Sequence, residues 1–312
     1  MLKRVRYLRI LLALFLIIPA AIFASVKGSW PTELGGYKAV RVHYGPLNKM
    51  IMPVNINGQP ANLLVDTGAS HVMLDADTAA SFGIKPSQRG PRYIRFNEIN
   101  GQELPLGFAQ NLRAGGMNFG STVVTLRESS HPSAGDTSVD GVLGLDLLTR
   151  HKAVINCRTK FIFFKVDRTR QMDLSSVASA EKFIKIPLRR EENGALTVPC
   201  SIHGQPARLL VDTGAFITIF QEAFLKSVGI PLEATRVSAH FPRGAARKVS
   251  AGQINDLKSG VFKMPPAKFG VTALPNFTLL RGSARIGGIL GMDTLYNCHA
   301  IIDFDGMNLF LK

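Results

Sequence analysis

The sequence predicts a mostly β protein with two similar lobes related by a pseudo-twofold axis. The first observation is an internal repeat, in which "MPVNINGQPANLLVDTGA" (52–69) aligns with "VPCSIHGQPARLLVDTGA" (198–215). The second is the pattern inside each copy, where short runs of β-branched and aromatic residues are separated by glycine-containing turns. A long unit present twice indicates a duplicated domain, because a solenoid needs several short units.

The repeat continues to the end of each copy with its order and spacing preserved. "DGVLGLDLL" (140–148) aligns with "GGILGMDTL" (287–295), and "AVINCRTKFIFFK" (153–165) aligns with "AIIDFDGMNLFLK" (300–312). The polar stretch between the copies is typical of a connector. We therefore expect a signal peptide or membrane anchor at 1–26, an N-terminal lobe at 27–166, a linker at 167–183 and a C-terminal lobe at 184–312.

Each copy begins with a predicted hairpin, followed by a Gly-Gln-Pro turn and a buried strand. The hairpin strands are "AVRVHY" and "KMIMPVNI" in the first copy and "FIKIPLRR" and "ALTVPCSI" in the second. The buried strands "ANLLV" and "ARLLV" lead into Asp66 and Asp212. A short helix then follows in each copy, and it ends at a glycine suited to a helix C-terminus, Gly83 or Gly229.

The first 26 residues have the pattern of an export signal. Four basic residues precede the apolar stretch 10–26, which ends in small residues and is barely long enough to span a bilayer. A cleaved signal and an uncleaved anchor both fit this pattern. Either one predicts an exported, periplasmic protein, with anchoring to the inner membrane through residues 10–26 in the second case.

Composition predicts an ordinary globular chain without a cofactor. The formal charge of +15 indicates a basic surface, but no basic helix carries interleaved aromatic residues, so we expect no nucleic-acid partner. The seven histidines and three cysteines show no metal-ligand spacing, and we expect neither metal nor cofactor. Cys157, Cys200 and Cys298 leave two alternatives open, one disulfide or three buried thiols.

Each residue of the repeated "VDTG" is suited to positioning a reactive carboxyl group. An apolar strand brings Asp66 or Asp212 to its end, the threonine hydroxyl can bond to backbone, and the glycine permits close approach of another chain. Two such loops meeting across the twofold axis would place the two carboxyl groups side by side. Since like charges at that separation cannot both ionise cheaply, the pair would hold one proton, which suits activation of water. The loop residues are Thr67 and Gly68 in the first copy and Thr213 and Gly214 in the second.

With DTG present twice, each copy followed later by two apolar residues and a glycine, the sequence resembles the aspartic proteases. These triplets are Val142-Leu143-Gly144 and Ile289-Leu290-Gly291. The resemblance covers both repeats, and it implies two retropepsin-like (acid protease) β-barrel lobes with short helices. It also implies that Asp66 and Asp212 are catalytic and that the triplets support their loops.

Two lobes in one chain are similar to the pepsin-like arrangement, whereas DTGA and the short lobes are more similar to retroviral proteases. The Asp and Arg that retroviral enzymes pair beside the site are replaced by Ser70 or Phe216 and by Leu145 or Met292. The resemblance therefore indicates a bacterial, exported protein whose dimer has been fused into one chain. The aspartates of the two triplet helices, Asp146 and Asp293, are expected to be N-caps.

The implied function is an exported aspartic endopeptidase acting on peptides or proteins as a monomer. Two alternatives remain, a peptide-binding protein of the same fold without turnover and a protease whose lobes pair between chains. Ala69 and Ala215 stand where pepsin-like enzymes have a hydroxyl, so we expect apparent pKa values above those of pepsin. Flaps are expected at 92–108 and 238–252, with tips near Gly101 and Gly244.

Overall fold

Three β-sheets and short helices build the fold in the computed structural model. It describes residues 34–87, 96–99, 102–127, 139–239, 247–274 and 286–312, which lie within one compact unit, Thr32–Lys312. The segment 10–26 and the flap tips Gly101 and Gly244 lie outside the described residues.

The first repeat and the linker contain eleven of the described strands. The strands are β1 (Tyr37–Arg41), β2 (His43–Tyr44), β3 (Met50–Ile56), β4 (Gln59–Val65), β5 (Met73–Asp75), β6 (Phe96–Ile99), β7 (Gln102–Ala114), β8 (Met117–Arg127), β9 (Gly141–Leu143), β10 (Val154–Asn156) and β11 (Phe161–Lys165). The helices are a 3-10 turn (Pro46–Asn48), α1 (Ala76–Ser81), α2 (Leu145–Arg150) and, in the linker, α3 (Leu174–Ala180).

The second repeat follows the same plan. Its strands are β12 (Ile184–Pro187), β13 (Arg189–Arg190), β14 (Leu196–Ile202), β15 (Gln205–Val211), β16 (Ile219–Gln221), β17 (Leu232–Ala239), β18 (Arg247–Ile254), β19 (Lys258–Ser259), β20 (Phe262–Lys263), β21 (Ala267–Thr272), β22 (Ile286–Leu290), β23 (Ile301–Asp303) and β24 (Asn308–Leu311). Its helices are α4 (Glu222–Ser227) and α5 (Met292–Asn297). The prediction of a mostly β protein with two similar lobes is confirmed.

Each lobe has its own sheet. The first has the order β2-β3-β4-β9-β5-β8-β7-β6, and the second has β17-β18-β21-β16-β22-β15-β14-β19-β20. In both sheets the strand that ends at the DTG aspartate, β4 or β15, runs parallel to the strand of the later triplet, β9 or β22. This pairing brings two distant parts of each repeat to the same end of the sheet.

The third sheet takes strands from both repeats. Its order is β1-β11-β10-β23-β24-β12, so each repeat supplies half and the halves meet where Ile155 pairs with Ile302. The main hydrophobic core is shared by the two repeats, and Phe164 and Leu309 from this sheet are both fully buried in it. The sequence analysis did not predict this sheet, because the repeat pattern shows no pairing between copies.

The expected flap regions contain antiparallel hairpins. Strands β6 and β7 pair from Phe96 to Pro105, and β17 and β18 pair up to Ala239 and Arg247. The expected short helices correspond to α1 and α4, and Gly83 and Gly229 follow them with φ of +71° and +75°. Within the described part of the chain, no helix is both long and apolar enough to cross a membrane.

Candidate active site

The two DTG loops meet where β4 and β15 end. Asp66 donates its backbone N–H to Leu143 O at 3.0 Å, and Asp212 donates to Leu290 O at 3.1 Å. Each aspartate is therefore fixed by the triplet strand beside it. Both residues are half-buried.

The threonines of the two loops bond to each other's lobe. Thr67 Oγ1 donates to Val211 O at 2.7 Å, and Thr213 Oγ1 donates to Val65 O at 2.7 Å. Each hydroxyl also accepts the backbone N–H of the other threonine at 3.0 Å. Because both threonines are fully buried, water does not compete for these four hydrogen bonds. They hold the carboxyl groups of the two repeats in a fixed relation.

The glycines of the loops permit the carboxyl groups to approach. A Cβ at Gly68 would lie 2.6 Å from Asp212 Oδ2, and a Cβ at Gly214 would lie 2.4 Å from Asp66 Cγ. Both separations are shorter than non-bonded atoms adopt, so a side chain at either position would displace the carboxylate of the opposite lobe. The sequence analysis expected another segment of the chain to lie close to each glycine. In the structure, the group that lies there is the aspartate side chain of the other repeat.

Backbone N–H groups orient the two carboxylates in the same way. In each loop, Oδ1 of the aspartate accepts hydrogen bonds from the residues two and three positions later. The donors are Gly68 (2.8 Å) and Ala69 (3.1 Å) for Asp66, and Gly214 (2.8 Å) and Ala215 (3.0 Å) for Asp212. Oδ1 of each carboxyl group is thereby fixed by two donors of its own loop.

The electrostatics favour one shared proton. Burial and the charge of Asp212 raise the pKa of Asp66 to about 8, against the lowering effect of the N–H donors. Burial also raises the pKa of Asp212, again opposed by backbone N–H donors. Since the charge of Asp212 disfavours ionisation of Asp66, a proton retained by the pair relieves the repulsion between the two carboxyl groups.

The two triplets lie beside the loops. Val142 and Leu143 pair with Leu64 and Val65 of β4, and Ile289 and Leu290 pair with Leu210 and Val211 of β15. A Cβ at Gly144 would lie 2.5 Å from the backbone of His71, and one at Gly291 would lie 2.5 Å from that of Ile217. Only glycine therefore fits where the chain leaves the triplet and crosses the loop.

Each triplet continues into a helix that bonds to its loop. Leu145 N donates to Ala69 O at 2.8 Å, and Met292 N donates to Ala215 O at 2.8 Å. Leu145 and Met292 are both buried in the core. Their burial accounts for apolar residues at the positions where retroviral enzymes have an arginine.

The prediction that Asp146 and Asp293 are N-caps is wrong. The N-cap positions belong to Gly144 and Gly291, and each aspartate is the second residue of its helix. Asp293 Oδ1 instead ties the helix to the loop by accepting from three donors. These donors are Thr218 N (2.8 Å), Thr218 Oγ1 (2.7 Å) and Thr294 N (2.6 Å).

The cysteines and the possible metal ligands were the other groups considered in the sequence. Cys157, Cys200 and Cys298 are free and buried, which decides between the two alternatives in favour of three thiols, and burial raises the pKa of each. In the part of the chain that the structure describes, no cluster of three or more His, Cys, Asp or Glu side chains could hold a metal ion.

A two-lobed β fold with paired DTG loops defines an aspartyl protease-type protein. A model of an aspartyl protease family, Asp_protease_2, matches the chain twice, at residues 52–147 and 198–294. The matches cover more than half of the chain and contain both DTG loops and both triplets. The chain belongs to this aspartyl protease family.

Two plant seed proteins are among the similar solved structures. Conglutin gamma, a basic 7S globulin from lupine seeds, is 10% identical, with a TM-score of 0.49 over 89% of this chain and 95% of that chain. Basic 7S globulin from soybean is 10% identical, with a TM-score of 0.47 over 89% of this chain and 94% of that chain. A comparison with curated proteins found no significant match.

Proposed function

We propose that the chain is an aspartic endopeptidase whose single active site contains Asp66 from the first lobe and Asp212 from the second. The observation that carries this proposal is the meeting of the two DTG loops. Each carboxyl group lies against the glycine of the opposite loop and is oriented by two backbone N–H donors, and Thr67 and Thr213 join the loops across the lobes. A turn aspartate with a structural role would not require the matching loop of the other repeat to lie against its carboxyl group.

The geometry suits activation of a water molecule. The ionised member of the pair takes a proton from water as a general base, while the protonated member donates to the substrate carbonyl oxygen. The water oxygen adds to the carbonyl carbon and gives a tetrahedral intermediate. Proton return to the amine nitrogen then breaks the C–N bond. The substrate is a peptide or protein, and the reaction needs no covalent enzyme adduct.

Within one chain, the reciprocal threonine bonds complete the pair, which supports a monomeric enzyme over an obligate dimer of two half-sites. We also infer export to the periplasm, with residues 10–26 as signal or anchor. The support for export is the basic-then-apolar order of the first 26 residues. Cell fractionation before and after deletion of residues 1–26 tests this inference.

Peptide-library cleavage by the full chain from pH 3 to pH 8 tests the proposed activity. We expect cleavage with a mildly acidic to near-neutral optimum, and loss of cleavage in both Asp66→Asn and Asp212→Asn. An optimum near pH 2 would contradict the raised pKa values. Retention of about half the activity in either variant would indicate that the lobes pair between chains, and an inactive wild type would favour a peptide-binding protein.

A further inference from the structure

The loops that follow the two DTGA motifs differ in chemistry although the lobes share their fold. Ser70 and His71 follow the first motif, and Phe216 and Ile217 occupy the matching positions after the second. Ser70 is exposed, and its Oγ lies 2.9 Å from Nδ1 of the half-buried His71. Ile217 is 41% exposed and Phe216 is half-buried. At symmetric places beside the aspartates, one lobe therefore presents polar groups and the other apolar groups.

The apolar character continues along the second lobe. Leu210, near the end of β15, lies two residues before Asp212. Leu210 and Ala215 pack against the buried Ile219 and Ile289 in a small cluster separate from the main core. This cluster thus forms an apolar surface that reaches the catalytic loop.

The first lobe is also apolar at the matching positions, Leu64, Ala69, Met73 and Val142, but it carries charges nearby, at the end of β5. Asp75 and Arg127, neighbours in register on β5 and β8, form a partly exposed salt bridge of 2.6 Å. Their counterparts in the second lobe are Gln221 and Thr272, which are neutral. Gln221 Oε1 accepts the backbone N–H of the buried Leu274, a member of the apolar cluster. The contrast between the lobes therefore extends beyond the two loop residues.

The aromatic ring at the rim of the second lobe is held by a residue of the first repeat. Lys49 Nζ lies 4.8 Å from the centroid of the Phe216 ring, within the range of a cation–π interaction. The carbonyl oxygens of Ser70 and Phe216 accept from the helices beneath them, from Asp146 N at 3.1 Å and Asp293 N at 3.2 Å. Both loops thus have fixed backbones, and a difference in binding comes from their side chains.

We propose that Ser70, His71, Phe216 and Ile217 make substrate binding directional. The second lobe takes a large aliphatic or aromatic side chain on one side of the scissile bond, and the first lobe takes a hydrogen-bonding side chain on the other. With the direction of the peptide backbone fixed in the cleft, two halves of unlike chemistry favour one side-chain order over the exchanged one. This inference rests on the proposed peptidase site, because it assigns the two ends of that site.

Binding of non-cleavable peptides separates this inference from the activity itself. Two reduced-amide peptides are compared, one with Phe-Leu before and Ser-Gln after the reduced bond and one with the pairs exchanged. We expect the full wild-type chain to bind one order about tenfold more tightly, in the range by which apolar pockets discriminate. The exchange variant Ser70→Phe/His71→Ile/Phe216→Ser/Ile217→His should prefer the opposite order. Val261→His, an apolar-to-polar change at an 83% exposed residue near the far edge of the same sheet, should bind as wild type does.

Two results would overturn the inference. One is that wild type binds the two peptide orders equally tightly. The other is that a folded exchange variant keeps the preference of wild type. If the ordinary amide peptides are cleaved without an order preference, the proposed activity stands and the inference fails. If neither peptide is cleaved but the binding preference reverses on exchange, the inference stands and the activity fails. Failure of both analogues to bind overturns both.

Discussion

Thr67 and Thr213 each donate a hydroxyl hydrogen bond to the opposite lobe and accept a backbone N–H in return. The sequence indicated that each threonine hydroxyl could bond to backbone, without indicating which segment. The structure shows that the same chemistry joins the two loops. Since the acceptors lie about 145 residues away in the chain, no local pattern could identify them.

Replacement of Thr67 separates the role of the hydroxyl from that of the side-chain volume. Thr67→Val keeps the shape but leaves Val211 O and Thr213 N without their partner. A buried unsatisfied group costs about 1–3 kcal/mol, so we expect the free energy of unfolding to fall by about that amount for each of the two. Thr67→Ser retains the hydroxyl and should lose much less. Urea denaturation of both variants measures the difference, and equal losses would contradict a role for the hydroxyl.

The raised pKa of Asp66 predicts how stability changes with pH. The folded chain keeps a proton up to about pH 8 that the unfolded chain releases near the ordinary aspartate value. Between these values the folded state binds more protons, so stability falls as pH rises, by at most about 1.4 kcal/mol per pH unit for this group. Asp66→Asn cannot ionise, and we expect its Tm to exceed that of wild type above pH 8.

Thermal melts from pH 4 to pH 9 test this expectation. The difference in Tm between Asp66→Asn and wild type should shrink towards pH 4, where the unfolded chain also begins to bind a proton at this residue. Asp77→Asn, at an exposed position in α1, is the matched control and should follow the wild-type curve. A constant difference in Tm across the range would show that the substitution acts through packing and not through charge.

At the scale of elements, the two helices that follow the triplets are supported differently. In the second lobe, Thr218 Oγ1 donates to Asp293 and also accepts the backbone N–H of Gly291 at 3.0 Å. In the first lobe the matching residue is Val72, and the buried Asp146 Oδ1 has no hydrogen-bond partner. Burial raises the pKa of Asp146, although the N–H groups of Leu147 and Val72 oppose this.

This difference between the lobes predicts that Thr218→Val and Val72→Thr change the free energy of unfolding by unequal amounts. Thr218→Val leaves the buried Gly291 N–H without its acceptor and Asp293 with one donor fewer. Val72→Thr offers Asp146 a hydroxyl that it lacks. We expect Thr218→Val to lower the free energy of unfolding by about 1 kcal/mol or more beyond the change in Val72→Thr. Chemical denaturation of the two single variants gives the comparison, and a larger cost for Val72→Thr would contradict it.

The sequence predicted some elements well and others poorly, for physical reasons. Asp66, Asp212 and the triplets were found because the duplication repeats their spacing, and each lies at the end of an apolar strand. The position of Asp146 was misjudged because an aspartate at the second residue of a helix has the same sequence pattern as one at the N-cap. The partner of Thr213 and the pairing of β10 with β23 depend on contacts between repeats, which local periodicity does not encode.

At the scale of the whole molecule, the six-stranded sheet joins the two repeats through strands other than those that lead into the DTG loops. Lys165, on the last strand of the first repeat, has a side chain that is only 3% exposed, and its Nζ lies 2.5 Å from Asp305 Oδ2 of the second repeat. Lys152 Nζ, which is more exposed, lies 2.6 Å from Asp305 Oδ1. Burial acts to raise the pKa of Asp305, but the two lysines outweigh it and lower the pKa.

The ion pair between the repeats predicts that substitution of Asp305 destabilises the fold much more than substitution of Lys165. Asp305→Ala leaves the buried Lys165 ammonium without a counter-charge, which typically costs about 3–5 kcal/mol. Lys165→Met replaces the buried charge by an apolar side chain of similar length, and Asp305 keeps Lys152 as a partner. We therefore expect Asp305→Ala to lower the free energy of unfolding by several-fold more than Lys165→Met.

Guanidinium denaturation at pH 7, with peptide cleavage measured on the same samples, shows whether Asp305→Ala loses activity through unfolding of the whole protein or through a local change. Since the sheet fixes how the repeats meet, Asp305→Ala should lose cleavage at lower guanidinium concentrations than wild type, in step with its unfolding. The contribution of Asp305 is present above its unfolded pKa and is lost as pH falls through its lowered folded pKa. The gap between Asp305→Ala and wild type should therefore narrow in strong acid. If Lys165→Met were as damaging as Asp305→Ala, the stabilisation would come from the lysine itself, and the sheet would not depend on neutralising its charge.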